Sequence, residues 1–144
     1  MVLPDVNVLV YAHRRDAQNH AAFRAWLESV INGDESFGVS RHVLTGFARV
    51  VTHPKVFKTP SKIEDALKFA GQLLSHPNAI VIESGRRTWD IFERLCREHS
   101  VKGNLVPDAW FAALAIDSGC EWMTTDRDFS RFKGLRWRHP LSPA

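Results

Sequence analysis

The chain has 144 residues, 44% hydrophobic and 24% charged, with 19 Lys and Arg against 16 Asp and Glu for a formal net charge of +3. That length suits one domain, residues 1–144, able to bury a core without disulfides or a structural metal, and the composition excludes disordered, collagen-like and coiled-coil classes. No apolar run reaches the ~18 residues that span a bilayer and no signal-peptide pattern opens the chain, so a soluble, cytoplasmic protein with no membrane partner is expected.

The first residues, MVLPD, read as a buried strand running into a short helix, NVLVYAH, with Asn7 as its N-cap. A second helix, DAQNHAAFRAWLESVING, has Asp16 as cap and ends at Gly33. The brief apolar SFGVS predicts a strand, and RHVLTGFARVVTH a helix capped by Ser40, with Val43, Leu44, Phe47, Val50 and Val51 at helical spacing. Pro54 and Pro60 bound a loop, after which Ser61 and Glu64 form a capping box for the next helix. NAIVIES predicts a buried strand, GRRTWDIFERLCREHS an amphipathic helix, VPDAWFAALAIDSG an apolar helix ended by Gly119, CEWMTT a strand and LRWRHP a last edge strand.

Strands alternating with helices predict an α/β fold with an open, mostly parallel sheet covered on both faces. Ligands bind such sheets beyond the carboxyl ends of the strands. Asp5 and Asp126 each follow a predicted strand, Asp128 comes two residues later, and Asp108 lies in the first turn of an apolar helix, so each of these acids adjoins core. Carboxylates brought together raise one another's pKa, and a hard divalent cation relieves the conflict. Magnesium or manganese suits an all-oxygen donor set, whereas no HxH or HExxH pair offers zinc a site. Asn7, Asn104, Thr124 and Thr125 are neutral neighbours able to orient the acids. Locally, the same residues also read as caps (Asp5, Asn7), a first-turn acid (Asp108) and turn residues (Asp126, Asp128). With Asp5, Asp108 and Asp126 neutralised by a metal, 19 positive groups would face 13 negative ones, a basic balance that favours an anionic partner.

From DVNVLVYA through SRHVLTGFARVVTHPKVF and GNLVPDAWFAALAIDSG to MTTDRDFSRF, the chain resembles the PIN-domain ribonucleases, specifically the VapC toxins of type II toxin–antitoxin pairs. The resemblance implies a three-layer α/β/α fold, Mg2+- or Mn2+-dependent cleavage of RNA, a homodimer and a small VapB-like antitoxin that blocks the active site. It implies Asp5, Asp108 and Asp126 as catalytic metal ligands, Asp128 as a further candidate ligand, and Asn7, Asn104 and Thr124 as their supports. Many members place a Glu in the helix read here at 41–52, where this chain has Thr45 and Gly46. Arg14, Arg15, Lys102, Arg127, Arg131 and Lys133 form the expected pool of RNA phosphate contacts. Trp26, Trp89, Trp110 and Trp122 read as packing residues, and Cys96 and Cys120 as reduced, packed thiols. Two alternatives stand beside the nuclease: a catalytically silent PIN fold that binds RNA or antitoxin, and a phosphatase of the haloacid dehalogenase type, against which Asn7 stands where a second Asp would be needed.

Overall fold

Leu3 is fully buried, and the strand that carries it, β1 (Val2–Pro4), runs through the middle of the computed structural model, which describes residues 1–143. The chain continues through α1 (Val6–His13), α2 (His20–Ile31), β2 (Phe37–Val39), α3 (Arg41–Val51), α4 (Ile63–Leu74), β3 (Ala79–Val81), α5 (Arg86–Glu98), α6 (Leu105–Ser118), β4 (Glu121–Met123), a 3-10 turn at Arg127–Arg131 and β5 (Trp137–Arg138). Every ladder is parallel: β1 pairs with β4, β4 with β5, and β2 with β3. β2 lies beside β1, where a Cβ on Gly38 would come within 3.3 Å of the Val2 carbonyl. This is the expected mixed α/β fold with a mostly parallel central sheet. Helices α1 to α4 pack on one another, and α5 packs on α6.

The core follows from the spacing of apolar residues. Val43, Leu44, Phe47 and Val51 of α3 are buried together with Val8, Leu9, Val10 and Ala12 of α1. Helix α6 approaches the sheet through a run of small residues, Ala109, Ala112, Ala113 and Ala115, all fully buried, and its Phe111 ring stacks on Trp122 of β4 at 5.5 Å. At Gly119 the φ of +71° ends α6 in the left-handed conformation that glycine adopts without strain. Cys120 is buried, Cys96 is partly buried, and both are free thiols.

Several local expectations fail. Asp5, not Asn7, caps α1, its carboxylate accepting the Val6 N–H at 2.6 Å. Helix α2 begins at His20 after Asn19, while Asp16 is held by Arg14. Ser61 neither caps α4 nor forms a box with Glu64; the helix starts after Lys62, and the Ser61 hydroxyl accepts from Arg14. β3 is an edge strand with Ile80 45% exposed, not a buried one. Trp89 is 51% exposed, unlike the fully buried Trp122. Among the described residues, no helix is long and apolar enough to cross a membrane.

Candidate active site

The parallel register of β1 and β4 sets Pro4 opposite Met123, so the residues just beyond the two strand ends, Asp5 and Thr124, become neighbours although 119 positions separate them. The Asp5 N–H extends the ladder by donating to the Met123 carbonyl at 2.9 Å. One oxygen of its carboxylate caps α1; the other accepts the Thr124 hydroxyl at 2.6 Å. That buried hydroxyl in turn accepts the Asp126 N–H at 3.1 Å and the Asn7 amide at 3.5 Å, while Asn7 Oδ1 accepts the Thr125 N–H at 3.4 Å. Thr124 therefore ties the ends of both strands together, and Asn7 braces the turn from the first turn of α1. Asp126 caps the 3-10 turn by accepting the Asp128 N–H at 2.9 Å, leaving its second oxygen without a donor among the described residues. Asp108 enters from the first turn of α6.

Asp5, Asp108 and Asp126 line one cleft of about 870 Å³, together with Asn7, Tyr11, His42, Thr45, Gly46, Arg49, Val56, Phe57 and Phe111. Burial pushes the Asp5 carboxyl up to about 6, against the hydrogen bonds from Thr124 and Val6, and the charges of Asp108 and Asp126 push it further the same way. The Asp108 carboxyl is also raised, first by burial, then by Asp126 and Asp128, with Arg131 opposing. These carboxylates thus sense one another without compensation from a cationic side chain strong enough to restore their ordinary acidity. Among the described residues, no three acidic, His or Cys side chains stand close enough to form a ready-made metal cage. The donor set nevertheless fits a magnesium-like ion, which takes one or two carboxylates and fills its remaining positions with water or substrate oxygens. A cleft of this size leaves room for both.

Residues 2–135 match the PIN-domain family over nearly the whole chain. The chain belongs to the PIN-domain family. Within it, the chain is 45% identical over 141 residues to VapC ribonuclease Mb2897 of Mycobacterium bovis, covering 98% of this chain and 96% of the relative. It is 36% identical over 140 residues to ribonuclease VapC25 of Mycobacterium tuberculosis, covering 97% and 99%. Among solved structures, VapBC2 from Rickettsia felis bound to a promoter DNA fragment superposes with a TM-score of 0.71 at 20% identity, covering 96% of this chain and 98% of that one. VapC20 of Mycobacterium tuberculosis, a Sarcin-Ricin loop cleaving toxin, gives 0.66 at 18% identity, covering 94% and 99%. The haloacid dehalogenase alternative falls with the family assignment.

Other expected site residues of this PIN domain lie elsewhere. Asn104 is exposed at the start of α6, and its side chain bonds none of the acids. Asp128 is exposed at the rim, near enough to raise Asp108. Arg14 is not free for RNA: its guanidinium bonds Asp16, Ser61 and the Thr59 carbonyl and lies 4.1 Å above the Phe57 ring. Arg15 faces a separate cavity between α2 and α4. Lys102, Arg127, Arg131 and Lys133 are exposed but do not line the acidic cleft. The basic residues that do line it are His42 and Arg49 of α3, which the sequence reading passed over. Their spacing with Thr45, on the helix face away from Val43, Leu44, Phe47 and Val51, was the available signal.

Proposed function

We propose that this PIN domain is a VapC-type endoribonuclease toxin that hydrolyses RNA phosphodiester bonds with magnesium or manganese, acts in the cytoplasm as a homodimer, and is neutralised by a VapB-like antitoxin. The observation that carries the reading is the convergence of Asp5, Asp108 and Asp126, from two strand ends and one helix start, on one cleft with the Asp5 and Asp108 carboxyls raised. Support for the substrate comes from relatives named as ribonucleases, and for the antitoxin from toxin–antitoxin complexes among the structures of like fold.

The three acids would hold the ion, with Asp128 at the rim. Bound there, magnesium or manganese supplies an activated water and offsets charge on the phosphate. The protein's own part is orientation. The Thr124 hydroxyl and the Val6 N–H fix both oxygens of Asp5, and the Asp128 N–H engages one oxygen of Asp126. Asn7 holds the turn that carries Asp126 in register with α1. No side-chain nucleophile is required.

The alternative is a silent PIN fold that binds RNA or antitoxin without cutting, favoured by the absence of a ready-made cage among the described residues. A cleavage assay on single-stranded and structured RNA with Mg2+ or Mn2+ separates the two. Metal-dependent cleavage by the wild type, lost by at least about 100-fold in Asp108→Asn and Asp126→Asn of unchanged fold, supports the nuclease. RNA binding without cleavage under any of these conditions supports the silent fold.

A further inference from the structure

The acidic cleft has a cationic wall. Helix α3 contains no Asp or Glu, and the side it turns to the cleft carries His42, Thr45, Gly46 and Arg49. Gly46 is pressed against α1: a Cβ there would sit 2.9 Å from Val6 Cγ2, and Val6 is a stiff β-branched residue that directly follows Asp5. A side chain at 46 would have to displace the Val6 methyl. Thr45 turns its hydroxyl back to the His42 carbonyl at 2.8 Å, so it offers the cleft little beyond a methyl group. What α3 projects into the cleft is therefore His42 and, two turns on, Arg49.

Arg49 lines the cleft and is unspent. Arg14 is bound to Asp16, Arg41 to Glu83 and Arg131 to Asp128, but Arg49 is exposed and, among the described residues, has neither an ion pair nor a side-chain hydrogen bond. Charge balance says what it is kept for. Three ionised carboxylates around a divalent cation leave one net negative charge, and an incoming phosphodiester adds a second, so substrate would meet repulsion unless the cleft supplied a positive group of its own. A guanidinium is suited to this because its forked donors match phosphate oxygens.

We infer that Arg49, from α3, is the phosphate-binding residue of the cleft, holding the RNA phosphodiester against the acids, with His42 bordering the same wall. The inference rests on the ribonuclease reading and assigns the substrate side of that site to a helix that carries no acid. Arg49 positions the phosphate and takes no proton.

The test is fluorescence anisotropy of a labelled single-stranded RNA with wild type, Arg49→Gln and Arg49→Lys, in EDTA, from about 50 to about 300 mM KCl. Arg49→Gln is expected to weaken binding about tenfold at low salt and to flatten the slope of log Kd against log salt by about 0.7, the share of one phosphate contact on single strands. Arg49→Lys is expected to keep the slope, and melting temperatures to stay unchanged because Arg49 is exposed and, among the described residues, makes no ion pair or side-chain hydrogen bond. In the Mg2+ cleavage assay KM is expected to rise more than kcat falls. Binding, slope and KM equal to wild type in Arg49→Gln, in a protein that binds and cuts RNA, would overturn this inference alone. Failure of the wild type both to bind RNA here and to cut it with Mg2+ or Mn2+ would overturn the ribonuclease reading and this inference together.

Discussion

Replacing Asp5 by Asn is expected to make the metal-free protein more stable at neutral pH, even though it removes a buried hydrogen bond. The Asp5 carboxyl is 5% exposed and is raised from 3.8 to about 6, chiefly by burial. At ~1.36 kcal/mol for each tenfold change in proton affinity, that difference corresponds to about 3 kcal/mol. Because the folded state holds the proton more tightly than the unfolded chain, this stability is fully present below pH 3.8 and is lost as pH rises through about 6. Asn carries no charge at any pH. It retains an acceptor for the Val6 N–H but cannot also accept the Thr124 hydroxyl, which returns roughly 1–1.5 kcal/mol of the gain. The net expectation at pH 7.5 is a variant about 1–2 kcal/mol more stable, or roughly 3–6 °C in Tm for a domain of this size. At pH 4 the same variant is expected to be about 1 kcal/mol less stable than wild type. Urea unfolding in EDTA from pH 4 to pH 8, read as the difference between the two proteins, reports Asp5 together with its coupling to Asp108 and Asp126, since groups remote from it, such as Asp16, cancel. A difference that stays constant across that range would refute the reasoning. So would a variant markedly less stable than wild type at pH 7.5.

Thr124→Val removes the hydroxyl that donates to Asp5 and accepts from Asp126 and Asn7. The expected loss is about 1–3 kcal/mol, and the pH at which the Asp5 contribution disappears is expected to move upward in the same unfolding series. Arg14→Ala cuts the tie between the end of α1 and the loop at Thr59 and exposes Phe57, for an expected loss of about 1–2 kcal/mol by thermal melting. Because its guanidinium is already engaged, the salt slope of RNA binding is expected to stay at the wild-type value, in contrast to Arg49→Gln.

The fold and three acids of the candidate site were legible in the sequence because they depend on local pattern. MVLPD and CEWMTT end as apolar strands that must stop where Asp5 and Thr124 begin, and the parallel register then makes those ends neighbours. Asp108 was legible from its place at the head of an alanine-rich helix that has to be buried. Two of the three cap errors share one cause. Asn7, Asp16 and Ser61 each look like a cap to a reading confined to a few residues, yet Thr124 and Thr125 engage Asn7, and Arg14 engages both Asp16 and Ser61. The contacts of Asn7 and Ser61 span 117 and 47 positions and leave no local trace, whereas Asp16 is taken by a residue two positions away. Arg49 was missed for a related reason. Which side of α3 borders the acids depends on how closely Gly46 lets the helix approach Val6, a tertiary distance. Trp89 reads as an inward face of α5, but it lies over Phe92 and Trp110 at the margin of that helix pair and stays half in water.

The most direct test of the central claim is anomalous scattering from crystals of the wild type and of Asp5→Asn grown with Mn2+. One manganese peak is expected in the cleft within bonding reach of Asp5, Asp108 and Asp126 in the wild type, with its loss or marked weakening in the variant. Manganese bound only elsewhere, or a cleft whose three carboxylates stay unliganded at millimolar Mn2+, would contradict it.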